Sequence, residues 1–111
     1  MLVDSDILIA HLRGLHAAIS GVSVAELVGG MRSAQRREVW RSLASFRAEP
    51  ATVIIARRAG DFRRKYRHSH DGIGLGDYLI AGTAEVKGYD LATLNVRHFP
   101  MFENLRPPFN L

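Results

Sequence analysis

Three carboxylates, far apart along the chain, each ride on an apolar stretch. Asp4 follows Met1-Leu2-Val3, Glu26 lies inside Val22-Ser23-Val24-Ala25-Glu26-Leu27-Val28, and Asp77 opens Asp77-Tyr78-Leu79-Ile80-Ala81. A carboxylate carried into apolar surroundings is costly to desolvate unless a cation compensates it. Three that a fold can gather suggest a bound divalent metal. A hard ion such as Mg²⁺ takes carboxylate and water oxygens and commonly works on phosphates.

The elements that must position these acids read as alternating strands and helices. Residues 1–4 are a short strand ending at Asp4, with Ser5-Asp6 able to cap a short helix through Ile7, Leu8, Ile9 and Leu12. Residues 16–20 are a second strand. Ser23 and Glu26 have capping-box spacing, which predicts a helix running towards Met31 with Gly29-Gly30 weakening its middle. Residues 34–47 predict an amphipathic helix with Val39, Trp40, Leu43 and Phe46 on one side, ended by Glu49-Pro50. Residues 51–55 are a strand or the lead into another helix, residues 56–66 a very basic helix, and residues 68–76 a loop. Asp77 to Lys87 is a helix stopped by Gly88, and residues 90–94 are a final strand followed by Asn95.

That alternation implies a mostly parallel sheet with helices on its faces, whose ligands collect at the carboxyl ends of the strands. Asp4, Glu26, Asp77 and Asn95 all fall at that edge. Each also has a plainer role. Asp4 and Asp77 can cap helices, Glu26 can be half of a capping box, and Asn95 can be a turn residue. Convergence of all four on one rim favours a site.

The 111 residues fit one domain, residues 1–111, and 47% of them are hydrophobic, enough for a small core. Without cysteine there are no disulfides or thiolate metal sites, and a reducing cytoplasm is the expected compartment. No apolar run is long enough for a membrane span, and the first residues lack a signal-like pattern. The net charge of +4 favours a polyanionic partner. Arg32, Arg36, Arg37 and Arg41 recur at helical spacing, and a second group covers Arg57, Arg58, Arg63, Arg64, Lys65 and Arg67. The glycines at 72, 74 and 76 resemble a phosphate loop but lack its lysine and preceding strand, so they read as a flexible entry to the Asp77 helix. His68 and His70 read as a solvated loop pair, and His98 equally as a rim or turn residue.

With these residues placed, the sequence resembles the PIN-domain family, and within it the VapC-type toxins of bacterial toxin–antitoxin pairs. The resemblance rests on residues 2–9, 20–27, 74–81 and 91–99, in the family's order. It implies a PIN-like, three-layer α/β/α fold with a central sheet of four to five strands. It implies a Mg²⁺- or Mn²⁺-dependent endoribonuclease acting on structured RNA, transfer or ribosomal. Asp4, Glu26 and Asp77 match the metal-site acids, Asn95 stands where many members have a fourth acid, and Ser23 and Asp6 match supporting positions. A VapB-like antitoxin and a homodimer are implied as partners, with Trp40, Val39, Leu43 or the 78–85 helix as apolar surface. Only 21 residues separate Asp4 from Glu26, fewer than in most relatives. Two other classes remain: a receiver-type domain, for which no mid-chain acceptor Asp stands at a strand end, and a catalytically silent RNA- or protein-binding module.

Overall fold

A computed structural model describes residues 2–3, 18–44, 47–103 and 105. The expected helix over residues 7–12, and with it Asp4, Asp6 and Phe46, lies outside the described residues.

Four short strands form one sheet in the order β3-β2-β1-β4. They are β1 (Leu2–Val3), β2 (Ala18–Ser20), β3 (Arg47–Glu49) and β4 (Leu91–Ala92). Every pairing is parallel, with Leu2 opposite both Ala18 and Leu91, and Ala18 opposite Arg47. Parallel neighbours require crossover connections, and helices supply them. These are α1 (Gly21–Gly30), α2 (Arg36–Ala44), α3 (Val53–Tyr66) and α4 (Leu75–Lys87).

The core sits where α3 and α4 pack against each other and against β1. Leu2, Phe62, Tyr78, Ile80, Ala81 and Phe99 are buried there. The two helices approach closely because α4 carries Gly82. A Cβ there would lie 2.8 Å from the Ile55 carbonyl oxygen and 3.2 Å from the Ala59 nitrogen. Arg58 of α3 pairs with Glu85 of α4 and lies over the Phe62 ring, 4.5 Å from its centre. Gly88 ends α4 in the left-handed conformation at φ 72°, as expected of a glycine just past a helix.

Several local expectations are corrected. Ser20, not Ser23, caps α1, its hydroxyl accepting from the Val22 N–H at 3.2 Å. The helix therefore starts earlier, Ser23 is buried inside it, and Gly29-Gly30 close it instead of interrupting it. Thr52 caps α3 by accepting from the Ile55 N–H, so of the two readings of residues 51–55 the lead into a helix holds. The strand in this region is β3, on Arg47-Ala48-Glu49, which carries no β-branched residue to announce it. Trp40 is 48% exposed, which leaves it as surface, while Tyr78, Ile80, Ala81 and Ala84 of α4 are buried in the chain's own core.

Glu49 fastens the end of β3. It is buried, accepts from the Tyr89 hydroxyl at 2.6 Å, and lies 3.4 Å from Arg47 and 4.0 Å from Lys87. A buried carboxylate persists only with such partners. Here they tie the edge strand to the segment joining α4 and β4.

Candidate functional site

Three connections emerge at the carboxyl end of the sheet. β2 runs directly into α1 through the Ser20 cap, which places Glu26 in the second turn of α1. β4 leads through Thr93 and Asn95 into a 3₁₀ turn, Val96–His98, steadied by the Asn95 N–H donating to the Thr93 hydroxyl at 3.0 Å. The third connection is the start of α4, which lies against both of the others.

The first turn of α4 is where the acids meet. The Asp77 carboxylate accepts from the Gly74 N–H at 3.2 Å, closing the first turn on itself. The same oxygen, Oδ2, stands 3.1 Å from His98 Nδ1. Glu26 reaches this turn from α1: its Oε1 lies 3.0 Å from where a Cβ on Gly76 would stand. Glycine at position 76 therefore gives the Glu26 carboxylate its place beside Asp77 in the chain. The Asp77 side chain is 22% exposed and Glu26 is exposed, so both stay open to a ligand from solvent.

Behind the carboxylates lie two buried hydroxyls. Ser23, one turn before Glu26 on α1, is fully buried, and Tyr78, next to Asp77, is 2% exposed. Neither hydroxyl finds a hydrogen-bond partner among the described residues. Burial pushes the Tyr78 phenol up from its ordinary value; Arg63 lowers it and Asp77 raises it further. An unsatisfied buried hydroxyl costs about 1–3 kcal/mol.

Of the residues read from the sequence, the structure brings Glu26 and Asp77 to one place, with Ser23 beneath them. Asp4 and Asp6 lie outside the described residues; Asp4 directly follows Val3 of β1 in the chain. Asn95 is exposed, on the connector that leads to His98. Glu26 serves no capping box with Ser23, because Ser20 caps α1. His98 is the member that pattern alone left between two roles, and its contact with Asp77 decides for the rim. Gly76 has no sequence signal beyond its glycine-rich setting.

The donor set has the chemistry of a hard cation site: carboxylate oxygens on two elements, open to solvent. Among the described residues it is incomplete, since no group of three acidic, histidine or cysteine side chains is arranged to hold a metal.

Comparison with known proteins places the chain in a family. A model of the PIN domain matches residues 1–101. The chain is 65% identical to "Ribonuclease VapC10" of Mycobacterium tuberculosis, across 98% of this chain and 92% of the relative. It is 42% identical to "Ribonuclease VapC19" of the same organism, across 97% and 98%. The VapC10 alignment extends over 123 positions, longer than the 111-residue chain, so that relative carries residues this chain lacks. Among solved structures, a toxin–antitoxin complex from Klebsiella pneumoniae superposes with a TM-score of 0.79 at 24% identity, covering 99% of this chain and 98% of the other. VapBC2 from Rickettsia felis, bound to a promoter DNA fragment, superposes at 0.74 with 19% identity, covering 94% and 93%.

Proposed function

Because the chain belongs to the PIN-domain family and, within it, to the VapC ribonucleases, we propose that it is a toxin-type endoribonuclease, neutralised by a VapB-like antitoxin. The observation that carries the reading is the gathering of Glu26, Gly76-Asp77 and His98 from three separate elements onto one solvent-open rim. The substrate we assign is structured RNA, transfer or ribosomal, in keeping with a net charge of +4. The whole chain acts as one three-layer α/β/α nuclease unit.

In this reading Asp4, Asp77 and Glu26 hold a divalent cation, Mg²⁺ or Mn²⁺, which when bound supplies a water of lowered pKa and offsets charge on the phosphate. The Asp77 carboxylate is held in place through Oδ2, which accepts from the Gly74 N–H and stands beside His98. Fixing the carboxylate in this way costs the site no reorganisation when a substrate arrives. Asn95 contributes an uncharged oxygen where many relatives have an acid, and Ser23 and Asp6 are the supporting residues. An antitoxin segment that covers the rim and brings a cation to these carboxylates silences the enzyme. Trp40, Val53, Ile54, Leu75 and Val86 are exposed, and Trp40 is the one among them that the sequence offered as apolar surface for a homodimer.

The deciding experiment is cleavage of a total transfer-RNA pool with Mg²⁺ or Mn²⁺, then with EDTA, beside Asp77→Asn. Discrete cuts that vanish with EDTA and in the variant are expected. RNA binding without cutting, in both proteins, overturns the enzyme in favour of a silent binding module. Asn95 and the short Asp4–Glu26 connection are then the residues to restore.

A further inference from the structure

The exposed tryptophan on α2 is the largest apolar side chain that the fold leaves in water. Trp40 is 48% exposed, and it borders an open groove of about 620 Å³ lined by Ser33, Ala34, Arg36, Arg37 and Trp40 itself. A groove of that size admits a nucleotide. Arg32, Arg36, Arg37 and Arg41 are all exposed, and none forms an ion pair among the described residues. The residue facing the groove are thus two cations and an indole.

We propose that this groove is an RNA subsite, in which an unpaired nucleotide stacks its base on Trp40 while Arg36 and Arg37 take the flanking phosphates. The inference rests on the ribonuclease reading but concerns a surface apart from the carboxylates. Two features favour nucleic acid over an acidic peptide. An acidic side chain engages the arginines alone, whereas a nucleotide uses both features, its base stacking a π-face on the indole while its backbone supplies the charge. Unpaired nucleotides are also the form in which RNA exposes its bases. α2 packs against α1, the helix that carries Glu26. A strand held on α2 is therefore held beside the helix that lines the cleavage site.

The chain contains a single tryptophan, so its fluorescence reports on Trp40 alone. Asp77→Asn protein is titrated with a short single-stranded oligoribonucleotide, a duplex of the same length, and a polyglutamate peptide. Saturable quenching by the single strand, weak with the duplex and absent with the peptide, is expected. In active protein, Trp40→Ala raises KM for a looped RNA about tenfold with kcat unchanged, and Trp40→Phe restores most of it. Replacing Arg36 and Arg37 by Ser lowers the slope of log affinity against log salt by about 1.4. Unchanged fluorescence on RNA binding, or quenching by the peptide alone, overturns the subsite. Cleavage without quenching overturns the subsite and leaves the nuclease standing. Quenching without cleavage keeps the subsite and removes the nuclease.

Discussion

Gly76 and Gly82 belong to the same helix and meet opposite demands. Gly82 lets α4 lie directly on the backbone of α3, and a methyl there would meet main-chain atoms at 2.8 and 3.2 Å. Gly76 lets a side chain in: the Glu26 carboxylate occupies the space a methyl would need. One glycine serves a packed scaffold in which nothing can yield. The other serves a rim where a flexible carboxylate is the neighbour and two buried hydroxyls lack partners among the described residues. The difference teaches that α4 is both the keystone of the core and the mount of the site, with the change of role occurring between its first and second turns.

Alanine at each glycine breaks or sharpens that contrast. Gly82→Ala must push two helices apart, and overpacking of this kind costs about 3 kcal/mol. Chemical denaturation should record the loss, and an unchanged midpoint would sink the close-packed description of α3 on α4. Gly76→Ala should leave the denaturation midpoint nearly unmoved. Cleavage should instead fall about tenfold, equivalent to about 1.4 kcal/mol of barrier, because Glu26 is displaced from the start of α4. A stability loss without a rate loss at position 76 would make it scaffold, and the contrast would fail.

The sequence made this contrast only half legible. The capped, Gly-terminated helix 77–87 and the parallel α/β alternation could be read because apolar runs and Gly88 are local signals. So could Glu26 and Asp77 as partners on one edge, since helices that return antiparallel to a parallel sheet start at the carboxyl ends of its strands. β3 could not: Arg47-Ala48-Glu49 owes its extended form to pairing with β2, a tertiary effect that propensity does not carry. Nor could the Ser20 cap be told from Ser23, since both serines precede the same apolar run. His98 was ambiguous because its role depends on Asp77, which is distant in the chain and meets it only after folding.

A third test lies just past the end of α4. Tyr89→Phe removes the hydroxyl that donates to buried Glu49, leaving Arg47 and Lys87 to compensate the charge. A loss of about 1–2 kcal/mol is expected, with β3 the first strand to exchange its amide hydrogens. The same bond holds the Tyr89 phenol above its ordinary value, the hydrogen bond to Glu49 being the largest cause. The folded chain then keeps a proton that the unfolded chain gives up near pH 10. Its contribution is complete below that pH and disappears as pH rises through the shifted value. Phenolate absorbance that appears at the ordinary pH for this tyrosine would remove the tie between β3 and the α4–β4 connector.

The smallest effect completes the comparison, and its sign is what matters. Gly60 sits mid-helix on α3, exposed, and a Cβ there meets nothing within 4 Å among the described residues. It therefore contributes helix-weakening freedom without the close approach that justifies Gly82. Gly60→Ala should stabilise the chain by about 0.5–1 kcal/mol, through helix propensity and a less disordered unfolded state. Cleavage should not change, because Gly60 is exposed on α3 and a Cβ there meets none of the described residues. If Gly60→Ala destabilises as Gly82→Ala does, the cost at position 82 belongs to helical glycines in general and not to backbone contact. A gain at 60 beside a loss at 82 assigns that cost to the Ile55–Ala59 backbone against which Gly82 rests.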